Sequence, residues 1–456
     1  MKISPNIFKE YDIRGQYPQE INEKTAYALG WAFAKALQLK KIVIGRDARW
    51  ESEQVFWPFI AGLFKAKVKV YSLGICSTPE LFFAIGVNNF SGGCMITASH
   101  SPLGQTGFKL CDNQGRPLGL FSGLGRLAKI ANKIKIDKLN KLKGEIEFIS
   151  VSTQYKKFIK SIINIKKISG LKIVLDASSG SGARLIEEVF ADLPLYSWRL
   201  NFNAHDQYPD HGPNPLLKEN QTLIMKEVKK FTADAGIIFD GDADRIIFID
   251  EKGQLVEPYH LNCLLAEIIL SKKPKQKIII DARLFLGLKE IITALGGEAI
   301  SCRSGYANII TAMRSKKILF GCENSGHFMF NFSWLKNGKN YVYGEAILPA
   351  LLVLEYLQDK KLSLSSVVAK FRNNYFISGE LNFQIKNFEK IKNKIKSEFK
   401  DEKKIEIDGL SIVAQNSEWF FNIRPSHTES LVRLNIEAKS KQNLRKLKNK
   451  LLAIIK

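Results

Sequence analysis

The sequence has few cysteines and no long uninterrupted apolar run. Its six cysteines are scattered and form no CxxC pair, which favours reduced thiols that act as packing residues in a cytoplasmic protein. The longest apolar segment, residues 341–357, contains Glu345 and Glu355 and is too short and too charged to span a bilayer. The first ten residues, MKISPNIFKE, lack the apolar region of a secretory signal. We therefore expect no membrane partner.

Acidic residues are outnumbered by basic ones, 45 against 68, so the formal net charge is +23. Such a charge is compatible with nucleic-acid binding. However, the lysines are spread along the chain, and there is no zinc finger, aromatic RNA-binding motif or basic heptad pattern. We therefore expect no nucleic-acid partner, and a positive field also steers anionic substrates toward a cleft.

A strand pattern occurs three times in the 456 residues. Each copy starts with a short β-branched run, continues with a helical stretch, and reaches a second strand. The three runs are KKIVIGRDAR from Lys40, LKIVLDASSG from Leu171 and QKIIIDARLF from Gln276. A later strand in each copy ends in a polar loop, and these loops are TASHSP (97–102), DGDADR (240–245) and GCENSGH (321–327). Because ligands bind outside strand ends in such sheets, these loops are candidate sites.

The tail from about residue 371 has a different pattern. Four strand-like runs precede a lysine-rich helix at 441–455, which predicts a smaller antiparallel sheet with helices on one face. Its polar loop is RPSHTES, residues 424–430. The predicted fold class is therefore α/β, with three similar mixed-sheet α/β domains and a C-terminal α+β domain around a central cleft. The predicted domains are residues 1–147, 148–253, 254–370 and 371–456.

The most informative segment is GIIFDGDADRIIFID, residues 236–250. Three carboxylates, Asp240, Asp242 and Asp244, follow an apolar run at alternate positions, and Arg245 comes next. Carboxylates this close raise each other's pKa unless a cation neutralises them, and Mg²⁺ prefers such oxygen ligands. An arginine is suited to a neighbouring phosphate. The segment predicts a metal site beside a phosphate.

Three other interpretations use the same residues. The aspartate spacing is that of a calcium-binding EF-hand loop, but Arg245 occupies the position that needs glycine, and the flanks have strand composition. A strand that ends in Asp-x-Asp is also typical of a phosphatase with an aspartate nucleophile, here Asp240. The simplest alternative is a solvated acidic turn between two strands.

The other loops contain candidate groups for phosphate and sugar chemistry. Ser99 lies in a turn, yet a serine hydroxyl needs activation, and adjacent residues such as His100 rarely orient well enough to supply it. Lys109 follows Gly107 and can return to the same pocket. Glu323 and Ser325 alternate, so both suit a hydroxylated ligand. The loop with Arg424, Ser426 and Thr428 suits an anion, although an ordinary turn has the same composition.

Taken together and in order, these segments resemble the α-D-phosphohexomutases, and specifically their phosphomannomutase/phosphoglucomutase branch. The resemblance runs from end to end of the chain. It is carried by the following segments: FKEYDIRG (8–15), GRDAR (45–49), GICSTP (74–79), TASHSP, HGPNP (211–215), DGDADR, GCENSGH and RPSHTES. The YDIRG opening and the PNP segment favour the mannose/glucose branch over the glucosamine branch.

The resemblance implies an isomerase that moves a phosphoryl group between the 1- and 6-positions of a hexose phosphate. It implies a phosphoserine at Ser99, a hexose 1,6-bisphosphate intermediate, and one Mg²⁺ per chain held by Ser99 and the three aspartates. It implies that Lys109 is a general base and acid for the sugar hydroxyl. The remaining residues that it assigns are Arg14, His100 and Arg245 near the phosphoryl group; Tyr11, Arg283, Tyr306, Glu323, Ser325 and His327 at the sugar; and Arg424, Ser426, His427 and Thr428 at the other phosphate.

The sequence departs from the family pattern at several positions. Ser101, Gln105, Thr106, Tyr306 and His427 replace residues that are usual there, but the nucleophile, the metal ligands and Lys109 are retained. Two alternatives remain open, a glucosamine-phosphate mutase and a sugar-phosphate-binding protein without turnover. We expect a cytoplasmic monomer or weak homodimer, and the sequence does not fix the sugar.

Overall fold

The structure is a computed structural model that describes residues 3–136, 144–336, 341–385, 387–426 and 431–455. His427 and Thr428, two of the predicted phosphate-binding residues, lie outside the described residues. Within the described ranges, none of the helices has both the length and the apolarity that a bilayer crossing requires. All six cysteines are free thiols, and five of them are buried, as predicted for packing residues.

The first region of the chain contains a six-stranded sheet with the order β1-β5-β4-β2-β3-β6. Its strands are β1 (Ile13–Gln16), β2 (Lys41–Arg46), β3 (Lys69–Ile75), β4 (Gly92–Ile96), β5 (Gln105–Asp112) and β6 (Ile146–Phe148). Its helices are α1 (Glu23–Leu37), α2 (Trp50–Lys65), α3 (Thr78–Val87) and α4 (Gly125–Ala131), with a 3-10 turn at Pro5–Ile7 and a π-helical turn at Leu120–Leu124.

The second region contains a five-stranded sheet with the order β11-β10-β9-β7-β8. Its helices are α5 (Ser152–Ile162), α6 (Ala183–Phe190) and α7 (Lys218–Lys230), with a 3-10 turn at Ile165–Ile168. Its strands are β7 (Lys172–Asp176), β8 (Tyr196–Leu200), β9 (Ala235–Phe239), β10 (Ile246–Asp250) and β11 (Leu255–Val256).

The third region contains a five-stranded sheet with the order β13-β12-β14-β15-β16. Its strands are β12 (Lys277–Asp281), β13 (Glu298–Cys302), β14 (Phe320–Cys322), β15 (Phe328–Asn331) and β16 (Val342–Gly344). Its helices are α8 (Pro258–Lys272), α9 (Leu286–Ala294), α10 (Tyr306–Lys316) and α11 (Ile347–Lys360), with a 3-10 turn at Ser333–Lys336.

The three sheets share a common plan at their centres. In each, a central strand (β2, β7 or β12) pairs in parallel with the next two strands of its region, one on either side. A fourth strand then follows beside the third, and it runs antiparallel for β5 against β4 and for β10 against β9. Each polar loop connects the third strand to the fourth, so the sequence correctly predicts that the loops lie at strand ends.

The C-terminal region is an antiparallel sheet covered by helices, as predicted. Strands β17 to β22 pair in the order β17-β22-β21-β20-β19, and β18 also pairs with β22. Its elements are α12 (Leu364–Asn374), β17 (Phe376–Ile377), β18 (Leu381–Phe383), α13 (Phe388–Glu398), β19 (Lys403–Ile405), β20 (Leu410–Val413), β21 (Trp419–Pro425), β22 (Val432–Ala438) and α14 (Lys441–Ile455). Apolar residues of α13 and α14 join those of the sheet in one core.

The chain divides into two compact units. One consists of Met1–Leu255 with Phe330–Lys361, and the other of Val256–Met329 with Leu362–Lys456. The first unit therefore contains residues 97–102, called the serine loop, and residues 240–245, called the aspartate loop. The second unit contains Glu323 and Arg424. The predicted limits of the four domains stay predictions.

The first unit contains a buried acid, Glu345, that lacks a positively charged hydrogen-bond partner among its described contacts. One carboxylate oxygen accepts hydrogen bonds from the Tyr155 hydroxyl at 2.7 Å and from the Ile347 N–H at 2.9 Å. The other oxygen is buried and has no hydrogen-bond partner in this part of the structure. Burial raises the pKa of Glu345 from 4.5 to about 7, because these neutral donors only partly offset the loss of water.

We predict that Glu345→Gln removes one source of pH-dependent stability. The folded state binds this proton more tightly than the unfolded state, so the contribution of Glu345 to stability declines as pH rises from about 4.5 to about 7. Relative to the wild type, the variant should gain on the order of 2 kcal/mol between pH 5 and pH 8. Melting temperatures measured at both pH values test this.

The matched control is Glu147→Gln, whose side chain is 53% exposed. Its melting temperature should follow that of the wild type at both pH values. A constant difference between Glu345→Gln and the wild type across this range would contradict the proposed ionisation.

Candidate active site

The serine loop begins directly after β4 and holds Ser99 in an unusual backbone conformation. Ser99 has φ = +52°, in the left-handed region that non-glycine residues seldom adopt. Its N–H donates to the Thr97 hydroxyl at 2.7 Å, and the residue is almost fully buried. Strained residues of this kind persist where surrounding contacts fix them, which is frequent at active sites.

Arg49 supplies much of that support. Its guanidinium is fully buried and donates to the backbone carbonyls of Ser99 at 2.9 Å, Ser101 at 2.5 Å and Pro102 at 2.9 Å. Asp47 accepts the Ala98 N–H at 3.2 Å and lies 3.4 Å from the Arg49 Nε. The GRDAR segment contributes to the family resemblance, but the roles of Asp47 and Arg49 were not predicted, because a buried arginine that binds carbonyls has no sequence pattern of its own.

The aspartate loop connects the antiparallel strands β9 and β10 and closes on itself. One oxygen of Asp240 accepts the N–H groups of Asp244 at 3.0 Å and Arg245 at 3.2 Å. Gly241 allows the close approach of the serine loop, because a Cβ there would lie 2.8 Å from the Ser99 carbonyl oxygen. Any side chain at position 241 would therefore push the two loops apart.

The three aspartates form a buried group suited to a cation. One carboxylate oxygen from each lies within 4.8 Å of the others, and the residues are at most 2% exposed. Burial raises the pKa of the Asp240 carboxyl well above its usual value, and the negative charges of Asp244 and Asp242 raise it further. One oxygen of Asp242, Oδ1, is buried without a hydrogen-bond partner among the described residues. This donor set fits a hard divalent cation.

This burial excludes the interpretation as a solvated acidic turn. The flanking segments are strands, which also excludes the paired helices of an EF-hand. Both oxygens of Asp240 are engaged, one with the loop's N–H groups and the other with the Ser99 hydroxyl, so the structure does not favour Asp240 as a free nucleophile.

Lys109 extends from β5 toward the same carboxylates. It pairs with Met95 across the sheet, and Gly107 is required nearby because a Cβ there would lie 2.2 Å from the Ile13 carbonyl oxygen. The Lys109 ammonium lies 2.6 Å from both Asp242 Oδ2 and Asp244 Oδ2. Burial lowers the pKa of Lys109, but the two carboxylates more than offset it and raise that pKa. Lys109 is therefore protonated in this arrangement.

Ser99 lies within hydrogen-bond distance of two predicted partners. Its hydroxyl donates to Asp240 Oδ2 at 3.1 Å and lies 3.2 Å from His100 Nδ1. The side chains of the adjacent residues Ser99 and His100 therefore contact each other, and whether His100 acts as a base toward Ser99 is not tested by this contact. The other His100 nitrogen lies 3.3 Å from the Arg245 guanidinium.

Arg14 reaches the serine loop from β1. It donates to the Ser101 hydroxyl at 2.9 Å and to Asp12 at 2.6 Å. Ser101, one of the departures from the family pattern, therefore retains a polar contact with Arg14. Tyr11 lies half-buried in the bend that precedes β1.

In the second unit, the loop after β14 brings Glu323, Ser325 and His327 together. Glu323 Oε2 accepts from the Ser325 hydroxyl at 2.8 Å and lies 2.8 Å from His327 Nδ1. Burial alone would raise the pKa of Glu323, but the His327 hydrogen bond and the Arg283 charge lower it well below its usual value. The carboxylate is therefore ionised, and Tyr306 lies beside His327 with ring centroids 5.9 Å apart.

Arg283 and Arg424 belong to one charged cluster of the second unit. Arg283 forms an ion pair with Asp281 and lies 3.4 Å from Glu323 and 3.7 Å from Glu380. Arg424 lies 3.9 Å from Glu380. Burial and the nearby Arg283 lower the pKa of Arg424, whereas the carboxylates of Asp408, Asp281 and Glu380 act in the opposite direction.

The adjoining Ser426 is half-buried, and its N–H donates to the Leu431 carbonyl at 2.7 Å. Asp281 was not among the predicted site residues, and it also accepts a hydrogen bond from the Ser304 hydroxyl at 2.8 Å. The sequence pattern that could have indicated Asp281 is its position directly after the three isoleucines of β12.

Comparisons with known proteins identify the family. The chain matches four family models, described as the alpha/beta/alpha domains I, II and III and the C-terminal domain of phosphoglucomutase/phosphomannomutase. The matched residues are 5–133, 153–253, 257–375 and 380–454.

Relatives and solved structures agree with these matches over nearly the whole chain. It is 35% identical to a phosphomannomutase of Methanocaldococcus jannaschii, over 96% of this chain and 95% of that protein. It is 33% identical to a phosphomannomutase of Escherichia coli, over 98% and 99%. A Burkholderia thailandensis phosphoglucomutase/phosphomannomutase family protein has a similar structure, with a TM-score of 0.87, 26% identity and coverage of 99% and 97%.

These matches agree with the three similar sheets and with the contact between the serine loop and the aspartate loop. The chain therefore belongs to the phosphoglucomutase/phosphomannomutase family and is an enzyme of the phosphohexomutase class.

Proposed function

We propose that this protein reversibly transfers a phosphoryl group between the 1- and 6-positions of mannose or glucose phosphate. The transfer uses a phosphoserine at Ser99 and a hexose 1,6-bisphosphate intermediate. One observation carries the proposal: the Ser99 hydroxyl lies 3.1 Å from Asp240, at a buried group of three carboxylates. A phosphoryl group on that oxygen would adjoin both the acidic group and the cationic side chains around it.

The acidic group is proposed to hold one Mg²⁺ through Asp240, Asp242 and Asp244, with the phosphoserine as a further ligand. The buried Asp242 oxygen without a hydrogen-bond partner supports this assignment. When bound, Mg²⁺ supplies positive charge that stabilises the phosphoryl group during transfer.

The transfer itself exchanges one phosphorus–oxygen bond for another. The bond between phosphorus and the Ser99 oxygen breaks as a bond to a sugar hydroxyl oxygen forms, and the hydroxyl proton passes to a protein base. After the bisphosphate has reoriented, the Ser99 oxygen takes up the other phosphoryl group as the bond from that phosphorus to its sugar oxygen breaks, and the sugar oxygen takes back the proton from the protein base. Arg245 and His100, which lie 3.3 Å apart, are proposed to hold the phosphoryl oxygens, and Arg14 contacts the same loop through Ser101.

Lys109 is the proposed acid and base for the sugar hydroxyl. Its ion pairs with Asp242 and Asp244 keep the ammonium protonated, which suits proton donation. Acting as a base requires that Lys109 leave these carboxylates and lose its proton. A cation bound to the same carboxylates would favour that release, because its positive charge repels the nearby ammonium.

Glu323 and the cluster of Arg283 and Arg424 are the proposed contacts with the sugar and its other phosphate. Glu323 is ionised and suits two neighbouring sugar hydroxyls, with Ser325, His327 and Tyr306 beside it. Arg283 and Arg424 supply positive charge for the phosphate that is not transferred, and Ser426, His427 and Thr428 complete the proposed cradle. No observation favours a glucosamine substrate or a protein without turnover.

The first test concerns Ser99. Incubation with ³²P-labelled glucose 1,6-bisphosphate and MgCl₂ should label this residue, and peptide mass spectrometry should locate the phosphate. Ser99→Ala should abolish the label and reduce turnover of mannose 1-phosphate and glucose 1-phosphate by at least about 1000-fold, because the nucleophile is lost.

Ser101→Ala is the control, since it changes a hydroxyl in the same loop but should keep the label. Normal turnover by Ser99→Ala, or a stable label on a different residue, would contradict the proposed mechanism. Absence of turnover on mannose, glucose and glucosamine 1-phosphates by the labelled wild type would contradict the function itself.

The second test concerns Glu323. Glu323→Gln keeps the shape but removes the charge that pairs with Arg283 and His327, so kcat/KM for hexose 1-phosphate should fall by about 10- to 100-fold. The affinity for Mn²⁺, used as a probe of the proposed Mg²⁺ site, should be unchanged, because Glu323 is not one of the proposed metal ligands. Glu298→Gln, an exposed change in the same region, should leave both values unaltered. Equal kcat/KM for Glu323→Gln and the wild type would remove Glu323 from the sugar site.

A further inference from the structure

Helix α3 meets the aspartate loop at its N-terminus. Thr78, the first residue of the helix, donates its backbone N–H to the Asp242 carbonyl oxygen at 2.9 Å. The Thr78 hydroxyl donates to Asp242 Oδ2 at 2.6 Å. Both residues are fully buried, so water does not compete for these bonds. The hydroxyl bond is as short as a charge-assisted hydrogen bond is expected to be.

The two oxygens of Asp242 have different surroundings. Oδ2 accepts from the Thr78 hydroxyl and from the Lys109 ammonium, each at 2.6 Å. Oδ1 is buried and has no hydrogen-bond partner among the described residues. A carboxylate can rotate about its Cβ–Cγ bond, which would exchange these oxygens. The contacts on Oδ2 oppose that rotation and leave Oδ1 as the oxygen available to a cation.

We propose that Thr78 is a positioning residue for the metal site, which fixes the carboxylate of Asp242 so that Oδ1 is presented to the divalent cation. This inference rests on the proposed function, because it requires a metal at the three aspartates. Hydrogen bonds to a ligating carboxylate orient it, and their loss typically weakens metal binding by about 10- to 100-fold.

Lys109 does not make Thr78 redundant. The proposed catalytic role of Lys109 requires its ammonium to leave Asp242 during the reaction, whereas a threonine hydroxyl on the first turn of a helix stays in place. The Thr78 hydroxyl is thus the contact that holds Oδ2 throughout the cycle. Thr78 lies in the GICSTP segment, which contributed to the family resemblance without an assigned role.

Thr78→Val separates the hydroxyl from the rest of this contact. Valine has nearly the same shape as threonine, and the backbone N–H bond to Asp242 remains possible. Thr78→Ser restores a hydroxyl on the smaller side chain. Ser77→Ala is the matched structural control, because the Ser77 hydroxyl caps the same helix by accepting the Glu80 N–H at 3.2 Å and makes no hydrogen bond to Asp242 among the described residues.

The experiment measures Mn²⁺ binding to the full-length protein without substrate, by the electron paramagnetic resonance signal of free Mn²⁺ during titration with MnCl₂. Thr78→Val should bind Mn²⁺ about 10-fold more weakly than the wild type. Thr78→Ser should return the affinity to within about threefold of the wild type. Ser77→Ala should keep the wild-type affinity, although its melting temperature should fall by about 2–4 °C.

Equal Mn²⁺ affinity of Thr78→Val and the wild type would overturn the inference and leave the proposed function intact. Equal weakening by Thr78→Val and Ser77→Ala would also overturn it, because the effect would then come from the helix and not from the hydroxyl. If the wild type binds no Mn²⁺ at the aspartates, the proposed metal site fails and this inference fails with it.

Discussion

The geometry of the candidate active site depends on three carboxylates that are buried together in the turn between β9 and β10. Such a group is costly in an apolar interior unless cations and hydrogen-bond donors surround it. The protein supplies Lys109 from β5, Arg245 from the loop itself and the Thr78 hydroxyl from α3. Strand β5 and helix α3 therefore both contact the aspartate loop. Ser99 also reaches the carboxylates, because Gly241 allows the serine loop and the aspartate loop to touch.

The repeated sheet plan explains how unrelated side chains come to equivalent positions. In each of the three sheets, one polar loop joins two neighbouring strands: β4 to β5, β9 to β10, and β14 to β15. One copy bears the proposed nucleophile, one the acidic group and one the ionised Glu323. The same backbone scaffold thus presents three kinds of chemistry, which fits the rule that function depends on the residues of a site more than on its fold.

Much of this organisation was predictable from the sequence, because strand periodicity and loop composition are local properties. Helix α14 begins and ends at the predicted residues, and the order of the loops identified the family. The contacts of Arg49, Asp47 and Thr78 were not predictable, since they join segments that lie far apart in the chain. The Ser99–His100 contact was not predicted for a different reason: composition reveals neither the positive φ of Ser99 nor the orientation of the two side chains.

The most direct measurement is a crystal structure of the protein grown with MnCl₂, with anomalous diffraction used to locate the cation. The account predicts one peak coordinated by Asp240, Asp242 and Asp244, with Asp242 ligating through Oδ1 and the Ser99 side-chain oxygen adjacent. A protein that binds Mn²⁺ elsewhere, or that shows these carboxylates without a cation at saturating MnCl₂, would contradict the central claim.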